Sequence, residues 1–232
     1  MGITVYLIRH GETTWNRAGL YQGQRDVALS ARGRQQARQL ARRFARTPLD
    51  LVLTSDLRRA LETARALAAS RRPPVPLEAD GRLREMSFGQ WEGLPLATIR
   101  ARFGDDYAAY RADPAEGRPT GGETFRELGE RAWAAVAERL ARPGLRQLAV
   151  VAHGGTVKAL LCRLLDLPLT LRPRLLIDNA SVTAVELREG RPPLLRYLND
   201  TCHLRHPVPR RPRGPGAGGT RPAAEPGQQG PG

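Results

Sequence analysis

The feature that most constrains this chain is a set of short, continuous apolar runs, each followed by a segment with helical periodicity. Residues 3–8, 51–53 and 148–152 form such runs, and their length favours strands over helices. Apolar and polar residues do not alternate within them, so both faces of each strand are expected to be buried. The pattern predicts an α/β fold of three layers, α/β/α, in which helices cover both faces of a mostly parallel central sheet.

The helical segments carry recognisable start signals. Ser30 is predicted to cap a helix with Ala37, Leu40 and Phe44 on one face, and Ser55 is predicted to open a second helix. Residues 86–122 have weaker periodicity and several turn-forming Gly and Pro residues, so we expect a small cap inserted there. Further helices are expected over residues 123–142 and 156–165, and further strands over 182–187 and 194–198.

The composition changes near Leu204. Residues 205–232 contain seven Pro, seven Gly, five Arg and one Glu, with almost no large apolar side chain. Such a segment buries too little surface to offset its ordering entropy. We therefore expect one folded domain over residues 1–204 and a disordered basic tail over 205–232, acting either as an electrostatic tether or as a passive extension.

The formal charge of +14 raises the question of a nucleic-acid partner. However, 37 residues are basic, only Lys158 among them is lysine, and the arginines are spread along the chain. Aromatic residues, on which bases stack, make up only 5%. No apolar run reaches the roughly 18 residues that a membrane helix needs, and no signal peptide is recognised. We expect a cytoplasmic protein without nucleic-acid or membrane partners.

Two predicted strands end on a histidine followed by glycine. Residues 5–8 lead into Arg9-His10-Gly11, and residues 149–152 lead into His153-Gly154-Gly155. In open α/β sheets the ligand crevice lies outside the carboxyl ends of the strands, so the two histidines are expected to meet there. A packed or capping histidine would explain either one alone but hardly both. The helix after Gly155 would direct free N–H groups at an anion, so the pair predicts an anionic site.

Six motifs in order then resemble those of the histidine phosphatase superfamily, in its phosphoglycerate-mutase-like branch. The resemblance runs from Ile3 to about Leu204 and implies the phosphoglycerate-mutase-like fold with a cap. The motifs are Leu7-Ile8-Arg9-His10-Gly11-Glu12-Thr13 with Trp15-Asn16, Tyr21-Gln22-Gly23 with Asp26, Leu29 and Ser30, Thr54-Ser55-Asp56-Leu57 with Arg59-Ala60 and Thr63-Ala64, Leu83-Arg84-Glu85 with Gly89-Gln90-Trp91-Glu92-Gly93, Gly121-Gly122-Glu123-Thr124, and His153-Gly154-Gly155.

The resemblance implies a two-step phosphoryl transfer. His10 would attack phosphorus through Nε2 while Nδ1–H donates to a backbone carbonyl. Arg9, Arg59 and His153 would surround the phosphate, since fixed cationic donors stabilise its spread charge. The other substrate-binding positions that it implies are Gly11, Asn16, Gln22, Gly23 and Gly154.

Glu85 would be the general acid for the leaving alcohol and then the base for water. From the residues alone, a salt bridge with Arg82 or Arg84 is the simpler expectation for Glu85, and the resemblance reverses that preference. Glu12 and Glu92 are expected to be structural. His203 is expected in a docking segment near the sheet, with a catalytic role as the alternative.

The resemblance favours a hydrolase of small phosphorylated metabolites that needs no metal and no cofactor. A compact cap follows Glu85, whereas cofactor-dependent phosphoglycerate mutases carry a longer insertion there. The alternatives are such a mutase, an α-ribazole-phosphate phosphatase of cobalamin synthesis, and an inactive phospholigand-binding protein. A homodimer is left open. Four cap aromatics would either flank the leaving group or form the cap core: Phe88, Trp91, Tyr107 and Tyr110.

Overall fold

A computed structural model describes residues 2–204; Met1 and residues 205–232, which include the expected tail, lie outside the described residues. Six strands form one sheet in the order β3-β2-β4-β1-β5-β6. The strands are β1 Gly2–Arg9, β2 Leu51–Thr54, β3 Leu77–Ala79, β4 Gln147–Ala152, β5 Val182–Arg188 and β6 Arg191–Asp200.

Helices cover both faces of this sheet, which confirms the predicted three-layer α/β fold. One buried apolar cluster joins α2 and α3 to one face, and a second joins α6 and α7 to the other. In the described part of the chain the α-helices are α1 Thr14–Arg17, α2 Ala31–Phe44, α3 Arg58–Ala68, α4 Leu96–Arg102, α5 Gly104–Ala112, α6 Phe125–Leu140 and α7 Gly154–Leu164.

Three details differ from the sequence expectations. The helix predicted from Ser55 begins at Arg58, because Ser55 Oγ accepts from the backbone N–H of Leu57 in a turn before the helix. Strand β3 is not marked by an apolar run and was not predicted. Strands β5 and β6 are antiparallel to their neighbours, whereas β1, β2, β3 and β4 pair in parallel.

The N-terminus of α2 packs against the loop that follows β1. Ser30 caps this helix, as predicted, by accepting from the N–H of Gly33 at 3.0 Å. Gly33 lies so close to the loop that a Cβ there would collide with the carbonyl oxygen of Glu12. The absence of a side chain at this position therefore lets α2 approach the residues immediately after His10.

The cap segment, residues 86–122, contains α4 and α5 and has its own apolar cluster. Trp91 is fully buried at its centre, with Tyr110 edge-on at 5.3 Å and Tyr107 tilted at 5.9 Å. Phe125 and Leu128 of α6 belong to the same cluster, so the cap is packed directly on the main domain.

The register of the sheet brings chain-distant residues to one edge. Arg9 pairs with Ala152 in the parallel β1–β4 ladder, so the next residues, His10 and His153, emerge side by side. Because β5 runs antiparallel to β1, its amino-terminal end also lies at this edge.

No helix within residues 2–204 is both long enough and apolar enough to span a bilayer.

Candidate active site

A cavity of about 280 Å³ opens at the carboxyl end of β1. Seven of the predicted site residues line it together with Tyr21 and Phe88: Arg9, His10, Asn16, Gln22, Gly23, Arg59 and Glu85. Gly11, His153 and Gly154 are adjacent to this group but do not line the cavity itself.

His10 is held in one orientation by its neighbour in sequence. Its Nδ1 lies 2.6 Å from the carbonyl oxygen of Gly11. A carbonyl only accepts, so Nδ1 carries the proton and Nε2 keeps a free lone pair. Burial, and then the positive charges of Arg59 and Arg9, lower the pKa of His10 well below its usual value. The imidazole is therefore neutral and nucleophilic at neutral pH.

Arg59 is a fully buried guanidinium that contacts only neutral acceptors in the described chain. Nη1 donates to the carbonyl of Arg25 and Nη2 to that of Gly23, each at 2.7 Å, while Nε donates to His153 Nδ1 at 3.2 Å. Burial lowers the pKa of Arg59 to about 10, so it remains charged. A buried cation without a carboxylate partner is costly and favours binding of an anion from outside.

Arg9 supplies the second cation of the cavity. Its Nη1 donates to the carbonyl of Ile177 at 2.7 Å, and its buried Nε has no partner among the described residues. Burial lowers its pKa from the ordinary value. The orientation set by Ile177 leaves donors of the planar guanidinium available to a phosphate oxygen, the geometry in which arginine binds phosphate best.

His153 lies behind the cavity wall rather than in it. Its ring centroid is 5.2 Å from that of His10, and it is fully buried. Nδ1 accepts from Arg59 Nε, so the proton of the neutral ring sits on Nε2, which lies 2.9 Å from Ser55 Oγ. Both ring nitrogens are thus occupied by protein groups, and His153 acts on this site by orienting Arg59.

Two amide side chains, those of Asn16 and Gln22, also line the cavity. Asn16 Oδ1 accepts from the backbone N–H of Thr13 at 3.1 Å and from Asn179 Nδ2 at 3.2 Å, which leaves the Asn16 amino group for the cavity. Gln22 Oε1 accepts from Thr13 Oγ1 at 2.9 Å, so its amino group is oriented in the same way. Both side chains are fixed as neutral donors.

Glu85 brings a carboxylate to the cavity. Its Oε1 accepts from the backbone N–H of Met86 at 2.9 Å, and Oε2 accepts from Gly155 N–H, at the start of α7, at 3.1 Å. A Cβ at Gly155 would overlap Oε1 of Glu85. Gly155, the second glycine of the His153-Gly154-Gly155 motif, therefore makes room for this carboxylate and also donates a hydrogen bond to it.

The loop that carries Glu85 is tied to α6 by Arg131. The Arg131 guanidinium donates to the carbonyls of Arg82, Arg84 and Glu85 at 2.6, 2.8 and 2.9 Å, and it pairs with Glu123. Arg84 itself pairs with Asp56, and Arg82 pairs with Asp80 and Glu138. The predicted alternative, a salt bridge from Glu85 to Arg82 or Arg84, is absent from residues 2–204.

The competing acidic residues have other partners. Glu12 accepts from Ser30 Oγ at 2.9 Å and pairs with Arg17. Glu92 Oε1 accepts from the backbone N–H groups of Gln24 and Phe88 at 3.0 and 3.1 Å. Both carboxylates organise the loops around the cavity without lining it.

His203 lies away from the cavity, in a short 3₁₀ turn that packs on α2. Its Nδ1 is 3.1 Å from Arg43 Nη1. Burial and then the charge of Arg43 lower its pKa to about 4.

Sequence reasoning missed several residues that support the site. Ser55 and Thr63 both belong to the third motif, but Ser55 was expected only to cap a helix and Thr63 was assigned no role. Thr63 Oγ1 accepts from Gly11 N–H at 3.1 Å, and Asn179 Nδ2 donates to the carbonyl of His10 at 3.1 Å. The polar run Asp178-Asn179-Ala180-Ser181 just before β5 was a usable signal, because an antiparallel strand begins where its parallel neighbours end.

A metal site was not expected from the sequence. Within residues 2–204 no group of three or more His, Cys, Asp or Glu side chains is arranged to hold a metal ion. The positive charge in the cavity comes from Arg9 and Arg59, and these cations are suited to an anion rather than to a metal.

Comparison with known proteins gives concordant results. Residues 5–201 match the family model described as histidine phosphatase superfamily, branch 1. A phosphoserine phosphatase 1 from Hydrogenobacter thermophilus is 32% identical over 202 residues, covering 87% of this chain and 94% of its own. A relative from Proteus mirabilis named as a probable phosphoglycerate mutase, GpmB, is 37% identical over 192 residues, covering 81% and 86%.

A solved structure shares the architecture as well. Mycobacterial glucosyl-3-phosphoglycerate phosphatase superposes with a TM-score of 0.79 at 34% identity, covering 86% of this chain and all of that one. The matches of sequence and fold lead to one assignment: this chain belongs to the histidine phosphatase superfamily, branch 1.

Proposed function

We propose that this protein is a phosphomonoester hydrolase that acts on small phosphorylated metabolites through a phosphohistidine intermediate. The observation that carries the proposal is the neutral His10, with its Nε2 lone pair at a cavity in which Arg9 and Arg59 have no acidic partner among the described residues. A phosphate dianion supplies the missing negative charge, and its phosphorus atom is the electrophile that Nε2 attacks.

In the first step, Nε2 of His10 forms a bond to phosphorus while the ester P–O bond breaks. The guanidinium groups of Arg9 and Arg59 stabilise the charge spread over the phosphoryl oxygens. Glu85, in its protonated form, gives its proton to the departing oxygen, so the product leaves as an alcohol. Gly11 keeps the other ring proton on Nδ1 throughout, which fixes the tautomer.

In the second step, water replaces the alcohol. The Glu85 carboxylate takes a proton from this water as its oxygen attacks phosphorus, and the P–N bond to His10 breaks. Inorganic phosphate leaves, His10 returns to its neutral form and Glu85 is protonated again. The backbone N–H groups of Met86 and Gly155 hold the carboxylate in place for both proton transfers.

Two alternatives within the superfamily have the same first step. A mutase returns the phosphoryl group to an alcohol and requires a bisphosphate primer; the relative from Proteus mirabilis carries that name. The compact segment after Glu85 favours water as the acceptor. An α-ribazole-phosphate phosphatase is a hydrolase that differs in substrate alone, and an inactive binding protein would give no phosphoenzyme.

A cytoplasmic location and a homodimer remain predictions from the sequence.

The test combines trapping and turnover. Rapid quenching with labelled p-nitrophenyl phosphate is expected to give an acid-labile, base-stable phosphoprotein, which is lost in His10→Asn. His203→Asn is the matched control and is expected to keep the label, because His203 lies in the 3₁₀ turn that packs against α2, away from the cavity. Label that persists in His10→Asn would contradict the nucleophile. Primer-dependent isomerisation of phosphoglycerate with negligible phosphate release would replace the hydrolase by the mutase.

A further inference from the structure

A second cavity of about 460 Å³ adjoins the first. Arg9, Tyr21 and Phe88 line both, so a molecule bound at His10 can extend from one into the other. The second cavity lies between the cap and the segment that leads into β5. We refer to it as the leaving-group cavity, because it is the space next to the phosphate position that the alcohol part of a substrate would occupy.

Lys158 on α7, the only lysine of the chain, lines the leaving-group cavity. Its Nζ donates to the carbonyl of Arg172 at 3.3 Å, and no carboxylate within residues 2–204 forms an ion pair with it. Burial, and then the charge of Arg172, lower its pKa from the ordinary value. An ammonium group has three donors, so two remain for a ligand.

Arg172 is a further half-buried cation that lines the leaving-group cavity. Its guanidinium carbon lies 4.5 Å from the centroid of Tyr110 and 5.0 Å from that of Phe125. Stacking fixes the plane of the group, but in the described chain no acidic side chain pairs with it. By contrast, Arg84 in the Glu85 loop pairs with Asp56, and Arg131 on α6 pairs with Glu123.

The cap aromatics divide between the two roles expected of them. Phe88 and Tyr110 line the leaving-group cavity while also packing in the cap cluster, whereas Trp91 and Tyr107 pack in that cluster without lining the cavity. The cavity therefore combines apolar walls with Lys158 and Arg172, which are half-buried and lack acidic partners within residues 2–204; Arg9 and the exposed Arg111 also line it. A neutral alcohol would leave those charges desolvated and unpaired, whereas an anionic one would pair with them.

We propose that Lys158 and Arg172 bind a second anionic group on the leaving alcohol, so that the preferred substrates are phosphomonoesters that also carry a carboxylate or a second phosphate. This inference rests on the proposed hydrolase function, because it concerns the alcohol that the reaction releases. Arg172 presents a planar fork that fits either a carboxylate or a phosphate, and Lys158 adds a point charge.

The test uses three esters that differ only at the end of a short chain: carboxyethyl phosphate, trimethylene bisphosphate and neutral hydroxypropyl phosphate. For the wild-type protein, kcat/KM for at least one anionic ester is expected to exceed that for the neutral ester by about tenfold or more, as one charge-assisted contact predicts. Preference for the carboxylate ester, the bisphosphate or both identifies the anion that the cavity takes.

Variants assign that preference to residues. Lys158→Met and Arg172→Met are each expected to reduce the ratio of kcat/KM for the anionic ester to kcat/KM for the neutral ester by about tenfold. Arg174→Met is the matched control, because Arg174 lies in the same 3₁₀ segment but is exposed and outside the cavity. If one variant fails to fold, the kcat/KM ratio of the wild-type protein and that of the other variant still test the inference.

Two results overturn the inference while leaving the hydrolase intact. One is that the wild-type protein hydrolyses p-nitrophenyl phosphate but its kcat/KM values for the anionic and neutral esters differ by less than about twofold. Such a difference is smaller than the charge-assisted contact proposed here would give. The other is a preference that persists in both variants. By contrast, no hydrolysis of any ester together with no label on His10 would refute the proposed function itself.

Discussion

Acidification should destabilise this protein well before its carboxylates titrate. His10 and His153 are buried beside Arg59, and burial followed by that charge lowers both pKa values well below 6.5. In the unfolded chain both histidines protonate near pH 6.5. Below that pH the unfolded state binds more protons than the folded state, so the free energy of unfolding falls as the pH falls.

The magnitude follows from the linkage relation. Each histidine that stays neutral in the folded protein lowers the free energy of unfolding by about 1.4 kcal/mol per pH unit below about pH 6.5. Between pH 7 and pH 5 this amounts to about 2 kcal/mol per histidine, and about 4 kcal/mol for His10 and His153 together. His203 adds a smaller share, because solvent screens its half-buried ring.

The carboxylates act in a different pH window. The pKa of Asp80 is lowered to about 2 by hydrogen bonds from Arg82, and the pKa values of Glu12 and Asp56 are also lowered. Their stabilising contributions are complete above the unfolded-state pKa of about 4 and are lost only as the pH falls below it. A decrease that begins near pH 6.5 is therefore attributable to histidine.

Urea unfolding, followed by circular dichroism at pH 7, 6 and 5, measures the effect. His10→Gln is expected to lose about 2 kcal/mol less than wild type over this range, since one titrating group is gone. His203→Gln is the matched control and should change the pH dependence less. A wild-type decrease below about 1 kcal/mol, or an unchanged slope in His10→Gln, would refute the argument for buried neutral histidines.

Three further predictions concern the site. Glu85→Gln should slow release of the alcohol from alkyl phosphates by about a hundredfold or more but release of p-nitrophenolate far less, because nitrophenolate leaves without a proton; equal slowing of this first step for both esters in rapid-quench assays would argue against a general acid. Arg131→Met should lower the free energy of unfolding by about 3 kcal/mol, since three loop carbonyls lose a charged donor, and Arg131→Lys should lower it by less. Urea unfolding curves for Arg131→Met that match those of wild type would contradict a stabilising role for Arg131. Overnight chelation with EDTA should change the rate by less than about twofold, and a loss that added metal restores would point to a metal-dependent mechanism.

The parts of the site that sequence predicted are those carried by local patterns. An apolar run that ends at Arg9-His10-Gly11 already places the histidine at a strand end, and parallel pairing then brings it to His153. The hairpin between β5 and β6 also had a local signal, Glu189-Gly190, with Gly190 at a φ of 66°. That signal was not used, so the antiparallel edge was missed.

The rest depends on packing between distant segments. Arg131 reaches the Glu85 loop across 46 residues of sequence, and nothing at Arg131 distinguishes it from the other arginines of α6. His153 was expected to touch phosphate, but its position relative to the cavity is set by Arg59 on α3 and by Ser55. Strand β3 has three residues, Leu77-Glu78-Ala79, and is too short and too exposed to produce an apolar run.

The cationic cavity also bears on how the enzyme responds to its own product. Arg59 is held by three neutral acceptors and Arg9 by one, so neither guanidinium forms an ion pair with a carboxylate of the described chain. Inorganic phosphate presents the same oxygens as the transferred group and is attracted by the same two charges. Inorganic phosphate is therefore expected to compete with the ester for the free enzyme by mass action, so ambient phosphate raises the ester concentration needed for a given rate.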